Sequence, residues 1–152
     1  MFCCCVTSVL FAAQNATLAD LSGTWQLDIQ KSKVTKNSNT KSETLVIVAS
    51  DSSIQMTYTT DGKQLPVESY VPDGKEKAIS HRTSGAASSD IVTKATWKGQ
   101  TLVTEIIGRV GGTPLGASDI LHDKTTWKLS ADGNSLTREL DSPKQMLEYD
   151  RQ

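Results

Sequence analysis

Short runs of alternating apolar and polar side chains, separated by turn sequences, constrain this chain more than any other feature. The alternation is plain in residues 24–30, 44–49 and 53–59. A two-residue period places successive side chains on opposite faces of a β-strand. No window of helical length carries an apolar stripe, and the runs are rich in Thr, Val and Ile, which favour strands. About ten strands are predicted, at 24–30, 44–49, 53–59, 64–71, 77–83, 91–98, 101–110, 120–129, 135–141 and 146–151.

The connections between the runs contain the residues that tight hairpins require. Asp61-Gly62, Asp73-Gly74, Lys98-Gly99 and Asp132-Gly133 each separate two alternating runs. Asp-Gly readily adopts the positive φ angles of two-residue turns, which join antiparallel neighbours. We therefore expect the strands to follow one another in space nearly in chain order, as an up-and-down meander. Longer connections are expected at 31–42, 84–90 and 111–119.

A meander of this many strands must deal with its two edges and its apolar face. An open sheet leaves unpaired backbone groups along both edges, whereas closure into a barrel removes them. Apolar residues make up only 37% of the chain, so the outer face is expected to be polar and the interior moderately apolar. The predicted fold is an all-β antiparallel barrel that encloses either packed side chains or one small-ligand cavity.

The first residues have the pattern of a secretory signal. Residues 2–13 are apolar apart from Thr7 and Ser8 and carry no charge, residues 12–19 are mostly small, and the first charged residue is Asp20. This order is typical of a hydrophobic segment followed by a cleavage zone, after Ala19 or after Ala16, although the basic residue that usually begins a signal is missing. We predict a signal peptide at 1–19, a single domain at 20–152 and export to the periplasm or the cell exterior. A buried N-terminal strand of a cytosolic protein is the alternative.

Charge and cysteine content exclude several classes of protein. All cysteines lie within residues 3–5, so removal of the signal leaves no disulfide and no thiol chemistry. Sixteen basic and 17 acidic residues give a net charge of −1, and no basic block suggests nucleic-acid binding. His81 and His122 lack the close spacing of a zinc site. We expect no enzymatic activity, cofactor, metal, nucleic-acid partner or membrane span in the mature chain, which is predicted to be a monomer.

Two segments resemble a known family. Gly23-Thr24-Trp25, at the start of the first strand, resembles the N-terminal signature of lipocalins and their calycin relatives, including fatty-acid-binding proteins. Residues 146–151 resemble a last barrel strand with an aromatic residue and an arginine, and the mature chain is similar to short exported bacterial lipocalin-like proteins. The resemblance implies a calycin-like barrel with an interior ligand site. It also implies a late arginine, Arg151 or Arg138, packed across Trp25.

The last strand carries an arginine in a position of interest. Leu147, Tyr149 and Arg151 share one face by parity. If that face points inward, Arg151 is a buried cation, which needs an anionic or aromatic partner. Three interpretations stay open for it: closure over Trp25, an exposed chain end, or contact with a ligand carboxylate.

Arg138 lies between Leu136 and Leu140 on one face of its strand, where it either pairs with an acidic neighbour or contacts a ligand. Trp97 and Trp127 alternate with polar neighbours and are core anchors, which in a barrel also form the pocket wall. The candidate ligand-binding residues are Arg138, Tyr149, Arg151, Trp97 and Trp127.

Two functions from different classes follow from these patterns. The first is an exported binding protein that holds a small hydrophobic or amphiphilic ligand inside the barrel. The second is a solid-core structural or interaction domain of the cell envelope that holds no ligand. An interior cavity of about 300 Å³ or more favours the first.

Overall fold

The computed structural model describes residues 19–35, 40–84, 87–111 and 118–152, so the predicted signal peptide lies almost entirely outside them. These residues form one 11-stranded antiparallel sheet, which confirms the all-β meander. The strands are β1 (Gly23–Lys33), β2 (Glu43–Ala49), β3 (Ile54–Thr60), β4 (Lys63–Gln64), β5 (Glu68–Tyr70), β6 (Lys77–Ser84), β7 (Ala87–Lys98), β8 (Thr101–Gly111), β9 (Ser118–Leu129), β10 (Ser135–Asp141) and β11 (Lys144–Arg151).

The strand order is β4-β3-β2-β1-β11-β10-β9-β8-β7-β6. The short strand β5 is not part of this order and pairs with β3, as β4 does. Most consecutive strands are therefore neighbours. The exceptions are that, among the described residues, β5 pairs with β3 and not with β4 or β6, and that the first strand, β1, pairs with the last, β11. In that ladder Trp25 lies opposite Arg151 and Leu27 lies opposite Tyr149. The sheet thus consists of two meanders, β1 to β5 and β6 to β11, joined by the two ends of the domain.

The expectation that Asp73-Gly74 forms a hairpin is wrong. It lies between β5 and β6, which do not pair among the described residues. The Gly74 amide donates instead to the Ala95 carbonyl of β7, at 2.9 Å. Asp73 Oδ1 accepts from the Lys75 amide, at 2.9 Å, which stabilises the turn locally. The same dipeptide chemistry therefore builds a turn that lies against a third strand.

The single strand expected at 64–71 is also wrong, because the segment forms the two short strands β4 and β5. Pro66 lies between them and has no amide hydrogen to donate to a ladder, so pairing stops there. The three longer connections are all shorter than predicted, and β8 and β9 leave only residues 112–117 between them. β1 continues to Lys33, and the β6–β7 pairing continues to Ser84 opposite Ala87.

The sheet curls so that both meanders share one core. Trp25, Trp127 and Tyr149 are among the largest fully buried side chains. One cluster of buried side chains draws on both meanders: Leu21, Trp25, Leu27, Leu45, Ile47, Ile54, Met56, Tyr58, Tyr70, Ala95, Leu102, Trp127, Leu136 and Tyr149. No ladder of described residues joins β6 to β3, β4 or β5. The Gly74–Ala95 hydrogen bond joins the connection between β5 and β6 to β7, in line with the β6–β7 ladder, and so lies on the β6 side of that gap.

One end of the core is covered by an arginine and a tryptophan. The Arg151 guanidinium carbon lies 4.4 Å from the centre of the Trp25 ring. Its Nε donates to the Gly133 carbonyl at 2.8 Å, and its Nη1 donates to the Ser22 carbonyl at 3.1 Å. The Trp25 indole N–H donates to the Leu21 carbonyl at 3.0 Å. Of the three interpretations of Arg151, the structure therefore supports the first, in which the side chain closes over Trp25.

Candidate functional site

Polar side chains gather on the inner face of the sheet, away from Trp25. We call them the polar cluster, which comprises Glu43, Tyr58, Glu68, Tyr70, Arg138 and Tyr149. Register and two-residue parity bring them to one face. Glu43 is opposite Thr60 in the β2–β3 ladder, and Arg138 is opposite both Trp127 of β9 and Leu147 of β11. Both meanders thus contribute to the cluster.

At one side of the cluster, Glu43 is held by hydrogen bonds from two strands. The Tyr149 hydroxyl donates to Glu43 Oε1 at 2.6 Å, and the Thr60 hydroxyl donates to Glu43 Oε2 at 3.0 Å. Arg138 Nη1 lies 3.5 Å from Glu43 Oε1. Because Glu43 is only 9% exposed, these donors and the cation supply the stabilisation that water supplies elsewhere.

Arg138 lies between aromatic rings. Its guanidinium carbon is 4.9 Å from the centre of the Tyr58 ring and 5.1 Å from that of Trp127, both within cation–π range. Burial lowers the pKa of Arg138, but the Tyr58 and Tyr149 hydroxyls and the Glu43 carboxylate outweigh it and raise the pKa overall. The guanidinium is therefore a permanent cation. Its Nε is buried and has no hydrogen-bond acceptor among the described residues.

At the other side of the cluster, Glu68 accepts from two tyrosines. The Tyr70 hydroxyl donates to Glu68 Oε2 at 2.9 Å, and the Tyr58 hydroxyl donates to the same oxygen at 3.4 Å. Burial, followed by the negative charge of Glu68, raises the pKa of Tyr70. Burial likewise raises the pKa of Tyr58. Both hydroxyls therefore stay protonated at physiological pH and remain donors.

A pocket of about 230 Å³ lies beside this cluster, and we call it the Arg138 pocket. Its wall combines aromatic rings, two aliphatic side chains, hydroxyls and charged groups. It is lined by Tyr58, Glu68, Tyr70, Thr104, Ile106, Asp123, Lys124, Thr125, Trp127, Arg138, Leu140 and Ser142. A larger depression of about 430 Å³ lies along the β10–β11 hairpin, where charged side chains such as Glu139 and Lys144 form much of the wall. Of these two, the Arg138 pocket is the one lined by members of the polar cluster, and a further depression of about 190 Å³ is lined by Glu43.

The structure brings three of the five predicted site residues together. Arg138 and Trp127 line the Arg138 pocket, and Tyr149 lies behind it, joined to Arg138 through Glu43. Arg151 and Trp97 do not line it. Trp97 is half-buried beside the N-terminal end of the described chain, in a shallow depression that includes Ala19 and Asp20, and Arg151 covers Trp25.

Sequence reasoning missed four members of the polar cluster: Glu43, Tyr58, Glu68 and Tyr70. A signal for Glu43 was present, because it shares the parity of Leu45 and Ile47 and is therefore an acidic residue on an apolar face. Glu68 and Tyr70 gave less signal. Their strand has only three residues, and its placement beside β3 depends on the break at Pro66.

Each histidine lies beside a carboxylate on the sheet surface. His81 contacts Asp90, and His122 Nε2 lies 2.7 Å from Glu105 Oε2. Within the described residues, no group of three or more His, Cys, Asp or Glu side chains is placed to hold a metal ion.

The described part of the chain contains no helix of the length and apolarity needed to cross a membrane.

No family model matches the chain, and no curated protein matches it.

Proposed function

We propose that this protein is an exported, lipocalin-like binding protein that holds a small hydrophobic or amphiphilic ligand in the Arg138 pocket. In this proposal the chain acts as a monomer, has no catalytic role and works in the periplasm or outside the cell. The polar cluster positions the polar end of the ligand. The rings of Tyr58 and Trp127, with Ile106 and Leu140, contact its apolar body.

The proposed closure into a calycin-like barrel is supported by the sheet order. Closure needs one more seam, between β6 and the β3–β5 edge, and the chain crosses that gap directly through residues 71–76. The Gly74–Ala95 hydrogen bond, at 2.9 Å, fixes the end of this connection against β7, beside the start of β6. The core that both meanders share also supports this proposal, since a closed sheet packs its inner faces together.

The observation that carries the binding proposal is the composition of the Arg138 pocket. Ligand sites are typically apolar concavities with a few convergent polar groups. This pocket joins aromatic and aliphatic walls to a buried guanidinium whose Nε has no acceptor among the described residues. An unsatisfied buried donor is destabilising, by about 1–3 kcal/mol. A bound molecule whose acceptor reached this atom would remove that cost.

Export is tested by expressing the full chain with its leader and sequencing the N-terminus of the recovered protein. We expect the protein outside the cytoplasm, with its chain beginning at Asp20 or at Thr17. An intact Met1 on folded cytoplasmic protein contradicts export and leaves the pocket proposal to its own test.

Binding is tested by native mass spectrometry of the full chain recovered from its expression host, followed by displacement of an environment-sensitive fluorescent fatty acyl probe. We expect a bound small molecule, or saturable probe binding that Trp127→Ala weakens and Trp97→Ala does not. Trp97→Ala is the matched control because it removes the same side chain outside the pocket. Folded protein that binds neither a copurified molecule nor the probe contradicts the proposal.

Two observations favour the alternative function, a solid-core structural or interaction domain that holds no ligand. The Arg138 pocket, at about 230 Å³, is smaller than the usual range for ligand pockets, which begins near 300 Å³. Much of the interior is filled by side chains such as Trp25, Trp127 and Tyr149. A protein with a solid core would act through contacts made by its surface. The native mass spectrometry and probe displacement described above separate the two functions.

A further inference from the structure

We infer that Leu140 sets the length of the alkyl chain that this protein accepts, because its side chain divides the Arg138 pocket from a second, aliphatic pocket. The ligand class is then an amphiphile with a flexible saturated chain. Its polar end lies in the Arg138 pocket, and its chain passes Leu140 into the second pocket. This inference rests on the proposed function, because it extends the same binding site.

The second pocket is the depression of about 190 Å³ lined by Glu43, and we call it the aliphatic pocket. Aliphatic side chains form most of its described wall, namely Leu27, Ile29, Val34, Leu140 and Leu147. Ile29 and Val34 are each 39% exposed, so apolar surface inside this concavity is still open to water. A bound alkyl chain would remove that surface from water, which is favourable.

The strand register places the two pockets on opposite sides of β10. Leu140 lies opposite Thr125 of β9 and opposite Gln145 of β11. Thr125 lines the Arg138 pocket, Gln145 lines the aliphatic pocket, and Leu140 lines both. The row of Arg138 is arranged in the same way, with its β9 neighbour in the first wall and its β11 neighbour in the second. Arg138 and Leu140, which share one face of β10, therefore form the partition between the pockets.

The Arg138 part of this partition is fixed. Arg138 Nη1 lies 3.5 Å from Glu43 Oε1, so the ion pair runs from the wall of one pocket to the wall of the other. The hydroxyls of Tyr149 and Thr60 donate to the two oxygens of Glu43, and the aliphatic pocket therefore needs no polar partner from a ligand. Opening the partition here would separate two largely buried charges, which is strongly unfavourable.

The Leu140 part of the partition is not fixed in this way. Leu140 is half-buried, and it belongs neither to the core cluster of described side chains nor to the partly buried residues packed against that cluster. A change between its staggered rotamers breaks no hydrogen bond. Leu140 also borders the larger depression along the β10–β11 hairpin, whose charged wall does not suit an alkyl chain. A chain that passes Leu140 therefore continues into the aliphatic pocket.

The sizes of the two pockets favour a ligand that uses both. Ligand sites usually begin near 300 Å³. The Arg138 pocket, at about 230 Å³, and the aliphatic pocket, at about 190 Å³, are each smaller than this, whereas together they are larger. Charged groups and hydroxyls are concentrated in the first pocket and aliphatic groups in the second, which matches the two ends of an amphiphile. A fatty acyl chain too long for the Arg138 pocket alone is accommodated in this way.

A series of 1-alkanols tests the length of the site, because its members share an uncharged hydroxyl and differ only in the chain. The affinities of 1-hexanol, 1-octanol and 1-decanol for the full chain are measured by calorimetry at neutral pH. We expect each added methylene to raise the affinity about fourfold, which is about 0.8 kcal/mol, through to 1-decanol. An affinity that stops rising before 1-decanol overturns the inference and leaves the proposed function standing, since the shorter alkanols still bind.

NMR identifies the pocket that the chain enters. The methyl signals of Ile29 and Val34 should shift more with 1-decanol than with 1-hexanol, because only the longer chain passes Leu140. The Trp127 indole N–H should shift with both alkanols, because both place their polar end in the Arg138 pocket. Methyl signals of Val34 that 1-decanol leaves unchanged overturn the inference.

Variants of Leu140 test its role as the partition. Leu140→Trp fills the passage, so the ratio of 1-decanol to 1-hexanol affinity should fall at least about tenfold, which is close to the gain from two methylenes. Leu140→Ala widens the passage and should not lower this ratio. Leu121→Trp is the matched control, because Leu121 is an exposed leucine of β9 that lines neither pocket.

Circular dichroism checks that each variant folds, and Leu140→Phe takes the place of Leu140→Trp if the larger ring prevents folding. A ratio that the aromatic variant of Leu140 leaves unchanged, or that Leu121→Trp lowers as much, overturns the role given to Leu140. If folded wild-type protein binds none of the alkanols and also fails the fatty acyl test, the proposed function falls as well.

Discussion

At the scale of single residues, the contacts of Arg151 explain why a glycine stands two residues before Trp25. Gly23 has a φ of +143°, which side-chain-bearing residues rarely adopt. A Cβ atom there would lie 3.1 Å from Arg151 Nη1. Glycine therefore leaves the space through which the arginine reaches Trp25. The sequence motif has a local physical basis that does not depend on any resemblance.

Replacing Trp25 tests how much this end of the core contributes to stability. Trp25→Ala should lower the free energy of unfolding by about 3–5 kcal/mol, because it removes a fully buried ring and leaves a cavity. Urea denaturation followed by circular dichroism measures the change. Trp97→Ala, at a half-buried position, should cost less. An unchanged melting temperature for Trp25→Ala contradicts the role given to this ring.

The Glu43–Arg138 pair lends itself to a double-mutant cycle. Glu43→Gln keeps an acceptor for Tyr149 but leaves Arg138 without its counter-charge, so it should destabilise the protein by about 3 kcal/mol. Arg138→Met should also destabilise it. In the double variant the losses should not add, with a coupling of about 0.5–3 kcal/mol in urea denaturation. Additive losses show that the two charges do not interact across the core.

The turns determine where elements begin and end, and the β3–β4 turn is the clearest case. Asp61 has a φ of +49°, and its Oδ1 accepts from the backbone amides of Lys41 and Ser42 at 2.9 and 2.8 Å. The hydrogen bonds from Ser42 and Lys41 lower the pKa of Asp61. One side chain thus shapes its own hairpin and holds the entry to β2.

Substitution of Asp61 separates these two roles. Asp61→Asn tolerates the positive φ and keeps one acceptor oxygen, so the melting temperature should fall only slightly. Asp61→Ala loses both roles and should lower it more. Thermal unfolding followed by circular dichroism measures both variants. If the two fall equally, neither the acceptor oxygen nor the tolerance of positive φ contributes to stability, and only the negative charge matters.

Element positions were largely predictable, whereas some connections were not. Alternation located most of the strands because the pattern is local, and Lys98-Gly99 and Asp132-Gly133 join antiparallel neighbours as expected. Asp73-Gly74 has the same chemistry but lies against Ala95. Turn chemistry specifies the shape of a turn, whereas its neighbours depend on contacts far away in the chain.

At the scale of the whole molecule, buried tyrosines should make stability decrease in alkali. Burial raises the pKa of Tyr58, Tyr70 and Tyr149 above the ordinary value of 10.0. Above about pH 10 the unfolded chain loses protons that the folded protein retains, so the stabilisation present at lower pH is lost as pH rises. Melting temperatures measured across this range should fall, and they should fall less steeply for Tyr149→Phe. Equal slopes for the two proteins contradict the prediction.

The candidate site, like the connections, was predictable only in part, because it depends on contacts between residues far apart in the chain. Arg138 was identifiable from its own strand, since a charge on an apolar face is visible in a few residues. Its partners Glu43 and Tyr58 lie in other strands, and the sequence alone does not give the register that brings them together. A pocket wall assembled from both meanders is a property of the curled sheet.

The pairing of β1 with β11 has a consequence for biosynthesis. Trp25 finds its partner Arg151 only when the final residues of the chain have been made. Until then the two meanders have no strand that joins them, and the Trp25 ring lacks the guanidinium that covers it. Loss of the last few residues should therefore destabilise the whole molecule and not only the end of the last strand.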